Sequence, residues 1–328
     1  MTAEQSVPER LGRAPCCGTE NAPVFLSGMK DLLTTTSPGG TFSLRYCAAC
    51  GVLYVDPRPL TENLHLYYPE AEYMPLPDAS RSDRCSPVRE LLKAILSWPY
   101  TVRFGSASVQ LTPNVPGASL LDVGCGRGEM MKQMAARGWD VYGCDAASGK
   151  IASIAAAFGP GRAWCGTFEE IDFPLSSLDA IIMWHVIEHF PDPWRALRKA
   201  HALLKPGGKL VVGTPNWDCR EARLFRRFWV GFDAPRHVVV FSTRSLCRAL
   251  EDAGFEVYRL RPSLWANSVS ESIVLALSGL LNVRLWNSRL SRALHYLLFP
   301  FFVLSRTLGN LSMIEITARK PCAVDPAT

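Results

Sequence analysis

Between Ser119 and Asn216, apolar runs of strand length alternate with longer amphipathic stretches. "SLLDVG" predicts a buried strand, and "GEMMKQMAARG" a helix stopped at Gly138. "DVYGCD" predicts a second strand and "SGKIASIAAAFG" a second helix. The order continues with strands "RAWCGT" and "LDAIIMWHV", the helix "DPWRALRKAHALLKPGG" and the strand "KLVVGTPN". Parallel strands need crossover connections, so this alternation predicts an α/β fold on a parallel sheet. Near the end, "SMIEITARK" alternates polar and apolar positions as a final edge strand would.

The flanks carry a different pattern. Residues 1–73 are rich in Cys, Pro and turn formers, with short strand-like runs such as "TFSLRYC" and "GVLYVDP". Residues 74–117 open as a loose linker and continue as a helical stretch from about Pro87. A domain over 118–328 follows, with an apolar helical insertion at about 266–310.

Composition narrows the function classes. The net charge of +5 on 328 residues is too mild to point to nucleic acid, so a small-molecule substrate and no nucleic acid is the expectation. The eleven cysteines follow a polar N-terminus without a secretory apolar run, which predicts a reducing, cytoplasmic setting. No apolar run reaches the roughly 18 residues of a membrane span.

The candidate chemistry begins at "LLDVGCGRGEM", where Gly124, Gly126 and Gly128 fall at alternate positions between a strand and a helix. Missing side chains let a ligand lie on the turn, and the helix start turns unpaired N–H groups towards it. A dinucleotide fingerprint runs G-x-G-x-x-G, because pyrophosphate sits on that helix start. Here the residue needed as the last glycine is Glu129, whose charge opposes a phosphate. A ligand with a carboxylate, an amine and a ribose fits better. Asp145, closing the second strand, can accept both ribose hydroxyls, and Asp122 can orient the loop or reach an ammonium group.

With "LDVGCGRG" and Asp145 in place, the chain resembles class I S-adenosylmethionine-dependent methyltransferases. The resemblance covers most of 118–262 and implies a Rossmann-like seven-stranded sheet and S-adenosylmethionine as cofactor. It also implies that Gly166, Thr167 and Phe168 border the adenine, and that Trp184 and His185 face the methionine part. In "HVIEH", His185, Glu188 and His189 are spaced to share one helical face. Related quinone-pathway O-methyltransferases carry Glu-x-x-Glu-His there, implying a divalent metal. His185 in place of the first Glu weakens such a site, and bonding of Glu188 and His189 to nearby backbone is expected instead.

Downstream, "RRFWVGFDAPRHVVVFS" resembles a stretch on the substrate side of one methyltransferase subfamily. His237 is the candidate general base. Arg236, with Arg220, Arg223, Arg226 and Arg227, offers a binding surface for an anionic substrate or a solvated face. The expected reaction is methyl transfer to a hydroxyl of a sugar, glycolipid intermediate or quinone-like metabolite. A nicotinamide-dependent oxidoreductase and a non-catalytic zinc-binding scaffold are the rival readings.

"YCAACGVLYVDPRP" supplies Cys47-x-x-Cys50-Gly, half of a zinc-ribbon pattern, and resembles methyltransferases with an N-terminal zinc-ribbon-like module. The other half reads "APCCG", with Ala14 where its first cysteine belongs. Cys17, Cys47 and Cys50 are the aligned metal ligands, and Cys16 stands close to Cys17 for the fourth place. A zinc site and a metal-free ribbon both stay open. Arg284, Arg289, Arg292 and Arg306, with Trp286, flank the apolar runs of the insertion. That mix suits peripheral contact with an anionic membrane or a lipid-linked substrate, a helical hairpin, or a homodimer interface.

Overall fold

The structure is a computed structural model that describes residues 8–69, 109, 111–263, 268–286, 288, 290, 294, 297, 298 and 312–322. The expected helix from Pro87 lies almost wholly outside these residues, as do Arg289, Arg292 and Arg306. The chain divides into two compact units. Strands and helices are numbered below in chain order.

The first unit comprises 1–105, 216–242 and 264–312. Strands β1 (Val24–Met29), β2 (Phe42–Cys47) and β3 (Val52–Val55) form an antiparallel meander, and β9 (Val239–Val240) adds a fourth strand beside β3. A small sheet needs a hydrophobic face packed on something to be stable. Here Phe42, Leu44, Leu53 and Val55 share a core with Trp229, Phe232, Ala234 and Val240. The N-terminal module therefore does not close at residue 73, and 216–242 folds with it.

The insertion contributes α6 (Ser268–Leu281). Its inner face carries buried serines. Ser268 Oγ accepts from Trp229 Nε1 at 3.1 Å and donates to Glu221, while Ser272 Oγ accepts the Val230 amide at 3.1 Å. Val274 and Leu275 are buried beside them, and the exposed apolar residues lie at the end of the helix and just past it, in Leu280, Leu281 and Val283. Arg284, one of the arginines flanking the apolar runs, donates to the Leu33 carbonyl at 2.7 Å. Among the described residues, no helix is long and apolar enough to cross a membrane.

The second unit comprises 106–215, 243–263 and 313–328. Its strands are β4 (Ser119–Val123), β5 (Asp140–Asp145), β6 (Ala163–Cys165), β7 (Leu178–Trp184), β8 (Leu204–Pro215), β10 (Glu256–Ser263) and β11 (Met313–Arg319). They form one mixed sheet in the order β10-β11-β8-β7-β4-β5-β6, in which β11 alone runs against the rest, pairing antiparallel with β8 on one side and β10 on the other. Helices α1 (Glu129–Ala135), α2 (Ser148–Phe158), α3 (Pro193–Leu203) and α5 (Thr243–Asp252) complete the unit, and α4 (Arg220–Phe225) belongs to the first. Met130, Met131 and Met134 of α1 pack on Leu120, Val141 and Ile182 of the sheet. Asp192 caps α3 by accepting the Arg195 amide at 2.9 Å, ahead of Pro193 in the first turn.

The last strand corrects the expectation. β11 is not an edge but lies between β8 and β10, and its polar Glu315 and Thr317 are buried. The edge is β10, whose Tyr258 and Leu260 are exposed. After β4 the chain winds towards β6 in one direction and towards β8 in the other. Such a reversal leaves a crevice at the carboxyl ends of the central strands, where ligands of open α/β sheets bind.

Candidate active site

The glycine loop follows β4 at that crevice. The amides of Gly124 and Cys125 donate to the Cys144 carbonyl at 2.8 and 3.0 Å, tying the loop to β5. Asp145 completes the tether: Oδ2 accepts the Gly126 amide at 2.9 Å and Oδ1 accepts the Ala147 amide at 2.8 Å.

The three glycines do different work. A Cβ on Gly124 would come within 2.8 Å of a Val186 methyl, and one on Gly128 within 3.3 Å of Ile154, so these two permit close packing. Gly126, at φ +54°, would meet nothing within 4 Å. Its missing side chain leaves space beside the loop.

Two residues before Gly124, Asp122 is buried, and its Oδ2 has no hydrogen-bond partner among the described residues. Burial, and then the charge of Asp145, push its carboxyl up to about 8. An orphaned acidic oxygen beside an empty glycine turn suits a ligand that brings its own donor or positive charge.

The turn after β6 is built locally. The Gly166 amide donates to the Asp145 carbonyl at 3.1 Å. The Thr167 amide donates to Glu170 Oε2 at 2.7 Å, and this bond holds the Glu170 carboxyl below its usual range. Thr167 is exposed, whereas Phe168 is buried against Phe190, with Lys199 Nζ 5.3 Å from its ring centre. Phe168 thus anchors the turn from inside.

At the end of β7, Trp184 is half-buried and lies over Gly213, where a Cβ would strike its ring at 2.5 Å. His185 has left-handed backbone at φ +54°, and its amide donates to the Gly213 carbonyl at 2.8 Å. The expected helical face of "HVIEH" does not form, because only Ile187–His189 make a 3₁₀ turn. Glu188 is fully buried, accepting from Thr214 Oγ1 at 2.9 Å, with His185 Nδ1 at 3.3 Å from its other oxygen. Thr214, which the sequence reading passed over, is the partner that holds Glu188.

A family profile described as "Methyltransferase domain" matches residues 98–260. A protein from Mycolicibacterium smegmatis named as an S-adenosylmethionine-dependent methyltransferase is 30% identical over 154 residues, 45% of this chain and 56% of its own length. A ubiquinone biosynthesis O-methyltransferase from Bradyrhizobium is 35% identical over 112 residues, 33% of this chain and 44% of its own. Residues 98–260 are a class I S-adenosylmethionine-dependent methyltransferase domain. The chain spans about half the length of the curated relatives it matches. Among solved structures, the 1,6-didemethyltoxoflavin-N1-methyltransferase of Burkholderia thailandensis with bound S-adenosylhomocysteine has a TM-score of 0.41 at 18% identity, covering 74% of this chain and 83% of its own. The cofactor of this methyltransferase domain is S-adenosylmethionine, and the orphaned Asp122 oxygen and the space at Gly126 fit it.

The remaining expected site residues fall in the first unit, outside the methyltransferase sheet. His237 is buried, and its Nδ1 lies 2.8 Å from the Gly231 carbonyl, which can only accept, so Nδ1 carries the proton. Arg236 does not offer itself to an anionic substrate. Its guanidinium is fully buried, bidentate to Asp31 at 2.8 and 2.9 Å, bonded to Asp233 at 2.6 and 3.0 Å and to the Tyr67 carbonyl at 3.0 Å. These contacts use its whole donor set. Arg220, Arg223, Arg226 and Arg227 are exposed, and Arg223 pairs with Asp218 at 2.6 Å.

Cys17, Cys47 and Cys50 come together as expected, and Cys16 joins them, all four sulfurs lying within 4.8 Å of one another. Burial opposes ionisation of Cys17, but the Thr19 hydroxyl and amide pull its thiol down to about 6. Burial pushes Cys50 up to about 12.

Proposed function

We propose that this protein transfers the methyl group of S-adenosylmethionine to a hydroxyl of a small acceptor of the quinone-like or sugar-like class. The observation that carries the reading is the glycine loop, which Asp145 holds around the open space at Gly126. Glu129 supports it against a pyrophosphate-bearing cofactor, since its carboxylate opens α1. The relatives named as ubiquinone biosynthesis O-methyltransferases put quinone-like hydroxyls first among acceptors to test.

When bound, the cofactor supplies a methyl group already activated by a positively charged sulfur. The chain's part is to bind and orient it and to manage the acceptor's proton. Asp145 supplies carboxylate acceptors for the ribose hydroxyls, and the turn Gly166–Phe168 borders the base. Trp184 and His185 line the methionine end, where Asp122 meets positive charge. His237 is the base in this reading. The Gly231 carbonyl fixes its Nδ1 as donor, which leaves the lone pair on Nε2.

The decisive experiment incubates the protein and cell extract with methyl-labelled S-adenosylmethionine and identifies which metabolite gains label. Label on a quinone precursor or a sugar derivative sustains the reading, and label on neither class refutes it. His237→Ala is then expected to lower turnover roughly 100- to 10,000-fold with cofactor affinity kept. Near-normal turnover of that variant across pH would assign His237 a purely structural place.

Asp122 links cofactor binding to pH. With its carboxyl raised to about 8, it is protonated in the cofactor-free protein at neutral pH. A cationic ligand favours the carboxylate, so binding releases a proton and affinity rises with pH up to about that value. By the same linkage, Asp122's own contribution to the stability of the cofactor-free fold is greatest below the ordinary 3.8 and is lost as pH climbs towards 8. Calorimetry in two buffers of different ionisation heat measures the proton count. Equal binding heats in both buffers for the wild type would rule the linkage out; Asp122→Asn is expected to show such equality.

A further inference from the structure

Two turns of the N-terminal unit share one build. In "APCCG" the Gly18 amide donates to the Ala14 carbonyl at 2.9 Å, and in "CAACG" the Gly51 amide donates to the Cys47 carbonyl at 2.7 Å. The turns therefore align as Ala14 with Cys47, Cys17 with Cys50 and Gly18 with Gly51. A pair of metal-binding turns needs a thiolate at both first positions, and buried Ala14 has none to give. Cys16 makes up the number. Its sulfur lies 3.7 Å from that of Cys17, which lies 3.5 Å from that of Cys47.

These separations have a chemical meaning. A disulfide would bring two sulfurs to about 2 Å, and all four cysteines are free thiols. With Zn–S bonds of about 2.3 Å, the edges of a tetrahedral site are about 3.8 Å long. The observed 3.5 and 3.7 Å lie close to that edge. Adjacency of Cys16 and Cys17 is no obstacle, since their side chains already turn to the same side at the required spacing.

We propose that Cys16, Cys17, Cys47 and Cys50 hold one zinc ion as four thiolates, with Cys16 replacing the ligand that Ala14 lacks. The all-sulfur donor set selects zinc or iron over hard cations, and zinc is the redox-inert structural choice. The frame is set without the metal. Trp217 Nε1 donates to the Gly51 carbonyl at 3.2 Å, and its ring stands edge-on to Phe25 and Tyr46 at 5.7 Å. Thr19 Oγ1, 2.9 Å from Cys17 Sγ, can donate to that thiolate and fix its lone pairs. The site belongs to the N-terminal unit and is independent of the methyl-transfer reading.

The test uses the full chain, purified without chelators. Elemental analysis is expected to find one zinc per chain. Cobalt substitution should give the tetrahedral d–d bands and the thiolate charge-transfer intensity of four sulfurs. Cys16→Ser should weaken zinc retention against a chromophoric chelator by roughly 100-fold or more, about one ligand's share of a structural site. Adding Ala14→Cys to that variant should restore both retention and the four-sulfur spectrum. Absence of zinc from the wild type, iron in its place, or unchanged affinity and spectrum in Cys16→Ser would each overturn the proposal. If Cys16→Ser does not fold, failure of Ala14→Cys to rescue it counts against the proposal too.

Discussion

Asp145→Ala is expected to abolish S-adenosylmethionine binding while the methyltransferase sheet still folds. The carboxylate does two jobs at once. It receives the Gly126 and Ala147 amides at 2.9 and 2.8 Å, shaping the loop, and in the proposed function it accepts the ribose hydroxyls. Hydrogen bonds to a charged group contribute about 1.5–3 kcal/mol each, so losing two weakens binding by roughly 100-fold to beyond 10,000-fold. The side chain is only half-buried, which is why the fold survives. Gly126→Val should reach the same end by another route. A β-branched residue at φ +54° is strained by about 1–3 kcal/mol, and its methyls enter the space beside the loop. Gly126→Asn separates the two causes, because Asn tolerates left-handed backbone yet still fills the space. Calorimetry with S-adenosylhomocysteine, beside thermal unfolding of each variant, decides the matter. Folded Asp145→Ala and Gly126→Val proteins that bind with wild-type affinity would remove the assignment.

What could be read from the chain was whatever depends on neighbours in sequence. The strands β4, β7 and β8 announce themselves because a strand buried on both faces is an apolar run, β5 and β6 follow from their place between helices, and the glycines mark the turn of β4 into α1. The polar alternation of "SMIEITARK" suggested an edge, because nothing local shows that β8 and β10 flank it and bury Glu315 and Thr317. β10 escaped notice for the converse reason. It exposes Tyr258 and Leu260 while Arg259 and Arg261 are half-buried, so its pattern matches no template. Helix α6 was legible only as part of an apolar insertion, since nothing local shows that Trp229 and Val230 are partners of its serines. At the site, Gly124, Gly126, Gly128 and Asp145 were legible through spacing alone. The backbone that turns His185 out of a helix, and the place of Thr214 beneath Glu188, depend on pairing with β8. The division into units was least legible, because β9 joins β3 across most of the chain.

Arg236→Met is expected to destabilise the N-terminal unit by about 3–5 kcal/mol, the cost of removing one partner from a buried ion pair. That is a large part of the 5–15 kcal/mol that holds an ordinary domain together. In sequence Arg236 was open to an anionic substrate or to solvent, because its partner Asp31 lies 205 residues earlier. In the fold it is the charge on which two carboxylates depend. Burial would raise both Asp31 and Asp233, yet the guanidinium holds each below the usual carboxylate range. Both side chains are almost fully buried, at 1% and 5% exposed, so without Arg236 they have little water to turn to. Arg236→Lys should rescue little, since an ammonium cannot make the bidentate pair. The pH dependence separates this from lost packing. In the wild type the depressed carboxyls contribute stability above the ordinary 3.8, lost as pH falls through their folded values. In Arg236→Met burial is uncompensated and the carboxyls rise, so stability should fall as pH increases from 5 to 8. Denaturant unfolding at those two pH values reads the sign. A loss below about 1 kcal/mol, the range of surface pairs, or an unchanged pH slope would show that the network does not hold the unit.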